Sequence, residues 1–313
     1  MNSRPSRPLP THPGRRLLVV PAAAGFLATS LLLVGCLADA AESVPDAAEY
    51  SEQIQVVGLD TPRLSSADNF RDVAGVDRAY AATGGHLKPE SVYRSNALDI
   101  TDADLDTVED LGISTVIDLR TDSEIEEHPD RVPAGADYVH IDIVGGGSTA
   151  ANPTEEFSVD SPDDAATMLG DLNRNFVTDE GMRAQLAQVI TAVIDADGPV
   201  VFHCTAGKDR AGWTSAVLQL AAGVSERDVM DNYLATNDYS SERIAATTEQ
   251  IRTSQGDEAA EAYGVLLGVQ EGFLRSGLDA MKEFYGDVDT YLVDGLGLEV
   301  SAVLALKDKL VEA

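Results

Sequence analysis

Residues 200–212 read Val-Val-Phe-His-Cys-Thr-Ala-Gly-Lys-Asp-Arg-Ala-Gly. The first four are β-branched or aromatic and short enough for a buried strand. The last three open an apolar stretch that runs as a helix to about Ala222 and is closed by Gly223. Between them, small Ala206 and Gly207 let a strand-to-helix turn aim successive backbone N–H groups into one concavity. The helix behind adds its positive end. Such a turn is a receptor for a tetrahedral anion, and Arg210 can close it with a planar guanidinium fork that lysine cannot supply.

Working outward, the same strand-then-helix alternation recurs. Met182, Leu186, Val189, Ile190, Val193 and Ile194 have helical spacing, and Gly198-Pro199 ends that helix before the strand. Residues 92–95 read as a strand end, 101–104 as a capping box that opens a helix reaching Gly112, and 113–119 and 138–143 as further strands. Residues 145–162 have loop composition. After Ser241 the periodicity is mainly helical, with breaks near Gly256, Gly286 and residues 295–297, and part of this tail is placed to lie over a site. The predicted fold class is α/β, a parallel-type sheet flanked by helices on both faces, with additional C-terminal helices.

Cys204 sits on the floor of this anion receptor, where the field favours its thiolate. A thiolate beside a bound phosphoryl group is a nucleophile in place, and attack on phosphorus would give a phosphocysteine that water then hydrolyses, without metal or cofactor. Thr205, Ala206, Gly207 and Lys208 would line the substrate's phosphate, with Lys208 and Arg210 forming a local positive funnel. His203 faces away on the strand and is expected to hold the loop through a backbone hydrogen bond. Asn69, Arg71 and Asp72 are expected to brace the loop as buried polar groups, and Arg94 to support it.

In these residues the chain resembles the cysteine-dependent protein tyrosine phosphatases, whose loop is His-Cys-x5-Arg. The Cys-x-x-Gly-Lys-Asp-Arg variant looks like the bacterial secreted branch, as do residues 69–72 (Asn-Phe-Arg-Asp), 93–95, 118–121 (Asp-Leu-Arg-Thr), 231–234 and 291–295. The similarity spans roughly residues 55–312 and implies hydrolysis of phosphotyrosine, with phosphoserine, phosphothreonine or phosphoinositides as further classes. It also implies that an aspartate within the loop, here Asp209, is the general acid, while Asp118 at a strand's C-terminal end is a second candidate. One position departs from the pattern. Ala211 stands where the family carries Ser or Thr, so slower breakdown of the phosphoenzyme is expected, unless Thr205 compensates from the other side of the cysteine.

Other loop chemistries fit less well. A nucleotide-binding loop needs glycine where Phe202 stands and Ser or Thr where Asp209 stands. Arsenate reduction needs resolving thiols, and the sequence has two cysteines, one of them Cys36. The non-enzymatic alternative is a tethered pseudophosphatase that binds phosphorylated ligands with little turnover, although binding alone does not require the thiol.

Composition sets the surroundings. The formal charge of −31 opposes generic binding to nucleic acid. Arg4, Arg7, Arg15 and Arg16 precede an uncharged apolar run over 17–34 that ends in Leu-Val-Gly before Cys36, a signal peptide with a lipobox. The reading is therefore a signal segment over 1–35, a lipid anchor on Cys36, an acidic flexible tether over 36–54 and a phosphatase domain over 55–313. That makes an extracytoplasmic membrane lipoprotein. Cleavage after Ala40 would instead free the protein, and an uncleaved segment would leave an anchor helix of marginal length. Without its first 35 residues, which hold four arginines and no acids, the chain's formal charge moves from −31 to −35.

Overall fold

The computed structural model describes residues 57–145 and 159–313. The signal segment, Cys36, the acidic tether and most of the 145–162 loop lie outside the described residues. Among the described residues no helix is long and apolar enough to cross a membrane.

In chain order the elements are β1 (Arg71–Asp72), β2 (Ala81–Ala82), β3 (Gly85–Leu87), β4 (Val92–Ser95), α1 (Asp102–Asp110), β5 (Thr115–Asp118), α2 (Asp122–Glu127) and β6 (Asp137–His140). There follow α3 (Pro162–Thr178), α4 (Glu180–Asp195), β7 (Val200–His203), α5 (Arg210–Ala221), α6 (Glu226–Tyr239), α7 (Ser241–Gln255), α8 (Asp257–Leu267) and α9 (Glu271–Tyr285). The chain closes with the short α10 (Val288–Thr290), a π-helical turn at Tyr291–Gly295, α11 (Val300–Leu310) and β8 (Val311–Glu312).

The main sheet runs β1-β4-β7-β5-β6. All its pairs are parallel except β1 with β4. β7 is therefore central, so the quoted sequence leaves the sheet in its middle, at the C-terminal strand ends where ligands of parallel sheets bind. Alternation along the strands divides the core in two. Tyr93, Val116 and Val201 pack with Phe70, Leu98 and Val108 of α1 on one face. Val92, Ile117, Val200 and Phe202 pack against α3, α4, α5 and α9 on the other. Helices thus cover both faces, as the sequence predicts. α5 is buried around nearly its whole circumference, which is why it is apolar without a polar stripe.

Thr101, Thr121, Ser161, Asp179 and Ser225 each accept a backbone N–H at the start of a helix. Thr121 and Glu124 complete a reciprocal capping box. The tail breaks as expected at Gly256 and Gly286, both at positive φ. Two features go beyond the sequence reading. β1 adds antiparallel to the parallel sheet, and β2, β3 and β8 form a separate three-stranded antiparallel sheet that ties the C-terminus to residues 81–87. Strands of two or three residues carry no readable periodicity.

Candidate active site

The turn from Cys204 to Arg210 is held from outside by side chains of β1, β4 and the segment before them. Asn69 Nδ2 donates to the carbonyls of Ala206 (3.0 Å) and Gly207 (2.9 Å). Arg94 donates to the carbonyls of Gly207 (2.6 Å) and Lys208 (3.4 Å). Because a trans peptide places C=O and N–H on opposite sides, pulling these carbonyls outward turns the N–H groups of residues 207–209 inward. Gly207 has a φ of +69°, and a Cβ there would lie 2.5 Å from the Ser95 carbonyl oxygen. Both facts require glycine.

Arg71 is fully buried and donates to the Asn69 carbonyl (3.0 Å), to the Asn232 carbonyl (3.0 Å) and to Thr236 Oγ1 (3.1 Å), with a further contact to Asn69 Oδ1. It braces the brace, as expected. Asp72 does not. Its carboxylate takes the N–H groups of Ala74 (2.8 Å) and Glu90 (2.7 Å), so it pins a turn at the far end of β1 rather than the loop. Burial lifts its pKa to about 6 against the pull of those two bonds.

Cys204 is 2 % exposed at the end of β7. Arg210, at the start of α5, presents Nη1 and Nη2 to both oxygens of Glu124, at 2.7 and 2.6 Å. Burial opposes its charge, but the Cys204 and Glu124 charges beside it hold its pKa above the usual arginine range. Glu124 is 1 % exposed and also takes the Thr121 N–H (2.9 Å) and the Thr205 hydroxyl. Burial would raise its pKa, yet these partners, Arg210 foremost, bring it down to about 2. Glu124 is absent from the sequence expectations. Its Thr-x-x-Glu capping box is legible in residues 121–124, but its partner lies 86 positions further on.

Three expectations need correction. Thr205 does not turn its hydroxyl to the cysteine, because that hydroxyl donates to Glu124, so it does not replace the group missing at Ala211. The next hydroxyls on α5 are also engaged, Thr214 with the Arg210 carbonyl (2.9 Å) and Ser215 with the Ala211 carbonyl (2.7 Å). Lys208 is no free cation: its Nζ pairs with Asp209 Oδ2 at 2.9 Å and donates to the Gly268 carbonyl beyond α8 at 3.4 Å. His203 does not bond backbone through its ring, which faces Asp130 and Asp118.

The two acid candidates separate clearly. Asp118 is fully buried, held by Arg120 through Nε (2.9 Å) and Nη2 (2.7 Å) and by the Tyr138 hydroxyl (2.7 Å). Burial works against its charge, but Arg120 and His203 overcome it and keep the carboxyl well below the usual range. Its oxygens are taken up by Arg120 and Tyr138, the arrangement of a buried ion-pair member rather than of a group facing the loop. Asp209 stands in the loop, with Oδ2 on Lys208 and Oδ1 buried without a hydrogen-bond partner.

A cavity of about 290 Å³ adjoins the loop, walled by Asn96, Thr205, Ala206 and Lys208 on one side and by Leu266 and Leu267 of α8 on another. The C-terminal helices therefore do lie over this region, as their sequence position suggests. The arrangement offers a thiol, inward-turned N–H groups, a guanidinium fixed by a carboxylate and a nearby carboxyl, the parts needed for attack on a phosphoryl group.

A model of the tyrosine phosphatase family matches residues 62–312. Two relatives agree with it. The triple specificity protein phosphatase PtpB of Mycobacterium tuberculosis is 32% identical over 263 residues, 74% of this chain and 92% of that protein. A tyrosine-protein phosphatase of Nostoc commune is 30% identical over 222 residues, 68% of this chain and 71% of that protein.

Proposed function

Since this chain belongs to the tyrosine phosphatase family, we propose that it is a metal-independent phosphomonoester hydrolase acting through a phosphocysteine intermediate on phosphotyrosine proteins. Phosphoserine, phosphothreonine and phosphoinositides are further substrate classes, in keeping with the triple specificity stated for the mycobacterial relative. The observation that carries the reading is the convergence of Cys204, the Glu124-bound Arg210 and the outward-tied carbonyls of residues 206–208 on one turn.

In this mechanism the inward N–H groups and Arg210 bind the three non-bridging phosphate oxygens and place phosphorus against Cys204 Sγ. Sγ attacks, the P–O bond to the leaving group breaks, and Asp209 supplies the proton that the alkoxide or phenoxide needs. Water then displaces the thiolate from phosphorus. Thr205, Ala206 and Gly207 shape the receptor, and Lys208 holds Asp209. The protein acts outside the cytoplasm, held at the membrane by a lipid on Cys36 with residues 36–54 as tether.

Purified residues 37–313 are assayed with chelator on an aryl phosphate, phosphotyrosine and phosphoserine peptides and phosphoinositides. Release of phosphate is expected, abolished by C204S and lowered by D209N most for the poorest leaving groups. Ligand binding without release across the panel would instead identify a phospho-ligand sensor. Labelling with a radioactive lipid precursor, lost in C36A, tests the anchor.

A further inference from the structure

One sealed cluster lies behind the nucleophile and takes no part in the mechanism above. His203 and Asp118 are register partners on adjacent parallel strands, so their side chains project from the same face of the sheet. Both are fully buried there. Asp130, in the loop after α2, joins them with a side chain only 3 % exposed. Its Oδ1 accepts the Leu98 N–H at 2.8 Å. Its Oδ2 lies 2.8 Å from Arg120 Nη2 and 3.0 Å from His203 Nε2, both as close charge contacts without hydrogen-bond geometry. The other ring nitrogen, Nδ1, stands 3.9 Å from Asp118 Oδ1.

Asp118, Asp130 and His203 are close enough together to hold a cation. The chain itself supplies one, because the Arg120 guanidinium touches both carboxylates. Tyr138 donates its hydroxyl to Asp118, and the His140 ring meets the Arg120 carbonyl at 2.7 Å. Asp130 is the one member that reaches all three strand ends around the site: Leu98 after β4, Arg120 after β5 and His203 on β7.

We propose that Asp130 is a positioning residue for Cys204, acting through His203. This rests on the reading of Cys204 as the nucleophile. A carboxylate against a ring nitrogen sets the tautomer and the plane of an imidazole. His203 is the residue from which the Cys204 backbone departs, and its carbonyl is already bound by the Leu119 N–H at 2.9 Å. With the Asp130 carboxylate 3.0 Å from Nε2 and the carbonyl tied to Leu119, charge attraction on the ring and a hydrogen bond on the backbone restrain His203 from both sides, and with it the start of the turn that carries Cys204 Sγ. A displacement of about 1 Å at such a centre can cost on the order of a hundredfold in rate.

The test uses D130N, which keeps shape and removes charge, and D130A. Four quantities are read: thermal unfolding, the ¹⁵N ring signals of His203 assigned by H203Q, the rate of Cys204 alkylation by iodoacetamide, and kcat and KM for an aryl phosphate. Both variants are expected to unfold cooperatively, to shift the His203 ring signals and to alkylate more slowly. Their kcat is expected to fall about tenfold with KM within twofold, the scale seen for outer partners of a functional histidine. Ring signals and alkylation rates equal to wild type would overturn the proposal. So would a fall in kcat with the His203 signals unmoved. Should D130A not fold, D130N decides. A wild-type protein that releases no phosphate would sink the phosphatase reading alone, because the ring signals and alkylation need no turnover.

Discussion

Arg210 is held by a single carboxylate, Glu124, whose remaining bonds go to Thr121 and Thr205. A guanidinium gripped on two nitrogens keeps its plane, leaving its remaining N–H groups in a fixed direction. The Glu124 pKa falls from an ordinary 4.5 to about 2, so its stabilisation is present in full above pH 4.5 and is lost as pH drops toward 2. That shift corresponds to about 3 kcal/mol. Glu124→Gln is expected to lower the unfolding free energy at neutral pH and to flatten its decline between about pH 5 and pH 2, read by denaturant titration at several pH values. Its kcat should drop by about 100-fold through loss of the arginine's orientation. Asp72 has the opposite sign. Burial raises its pKa from 3.8 to about 6, so its contribution is greatest below pH 3.8 and disappears as pH rises through 6. Cys204 and Arg210 were legible from their spacing and Asp209 through the family resemblance, whereas Glu124 and Asp130 were not. Their partners are remote in sequence, and a lone acid in so acidic a chain carries no signal of burial.

At the level of elements, α5 carries the site and the rest of the helical layer fixes α5. Trp213 on α5 stacks on Phe176 of α3, with ring centroids 6.1 Å apart, and meets Tyr291 edge-on at 6.2 Å. Gly277 on α9 makes room for this packing: a Cβ there would lie 2.5 Å from the Trp213 ring and 2.8 Å from the Asn173 carbonyl. Gly277→Ala is expected to cost about 1–3 kcal/mol by overpacking, seen as a lower melting temperature. An unchanged or raised melting temperature would show that α9 moves away freely. The helices themselves were readable because capping residues and apolar spacing are local signals. The sheet of β2, β3 and β8 was not, since it pairs residues 81–87 with the last residues of the chain.

Across the whole molecule, the chain carries a formal charge of −31, and three cations at the site are matched locally, Lys208 by Asp209, Arg210 by Glu124 and Arg120 by Asp118 and Asp130. The buried pairs are shielded from salt, while the surface carboxylates repel one another and are screened by it. Melting temperature is therefore expected to rise from low salt to about 0.5 M sodium chloride, where the Debye length is only several ångströms. A fall would mean that surface ion pairs outweigh the repulsion.

The sequence by itself determined the α/β class, the strand-turn-helix that carries Cys204 and Arg210, and the family to which the chain belongs. The first two rest on residues close together, where periodicity, capping and steric rules act directly, and the family on several short motifs in a fixed order along the chain. Only the tertiary structure decided that Asp118 is a buried ion-pair member, that Thr205 serves Glu124, that Lys208 pairs with its neighbour and that Asp130 reaches His203. A side chain's protonation and direction depend on what folding brings against it, and in this chain those groups come from other strands and loops.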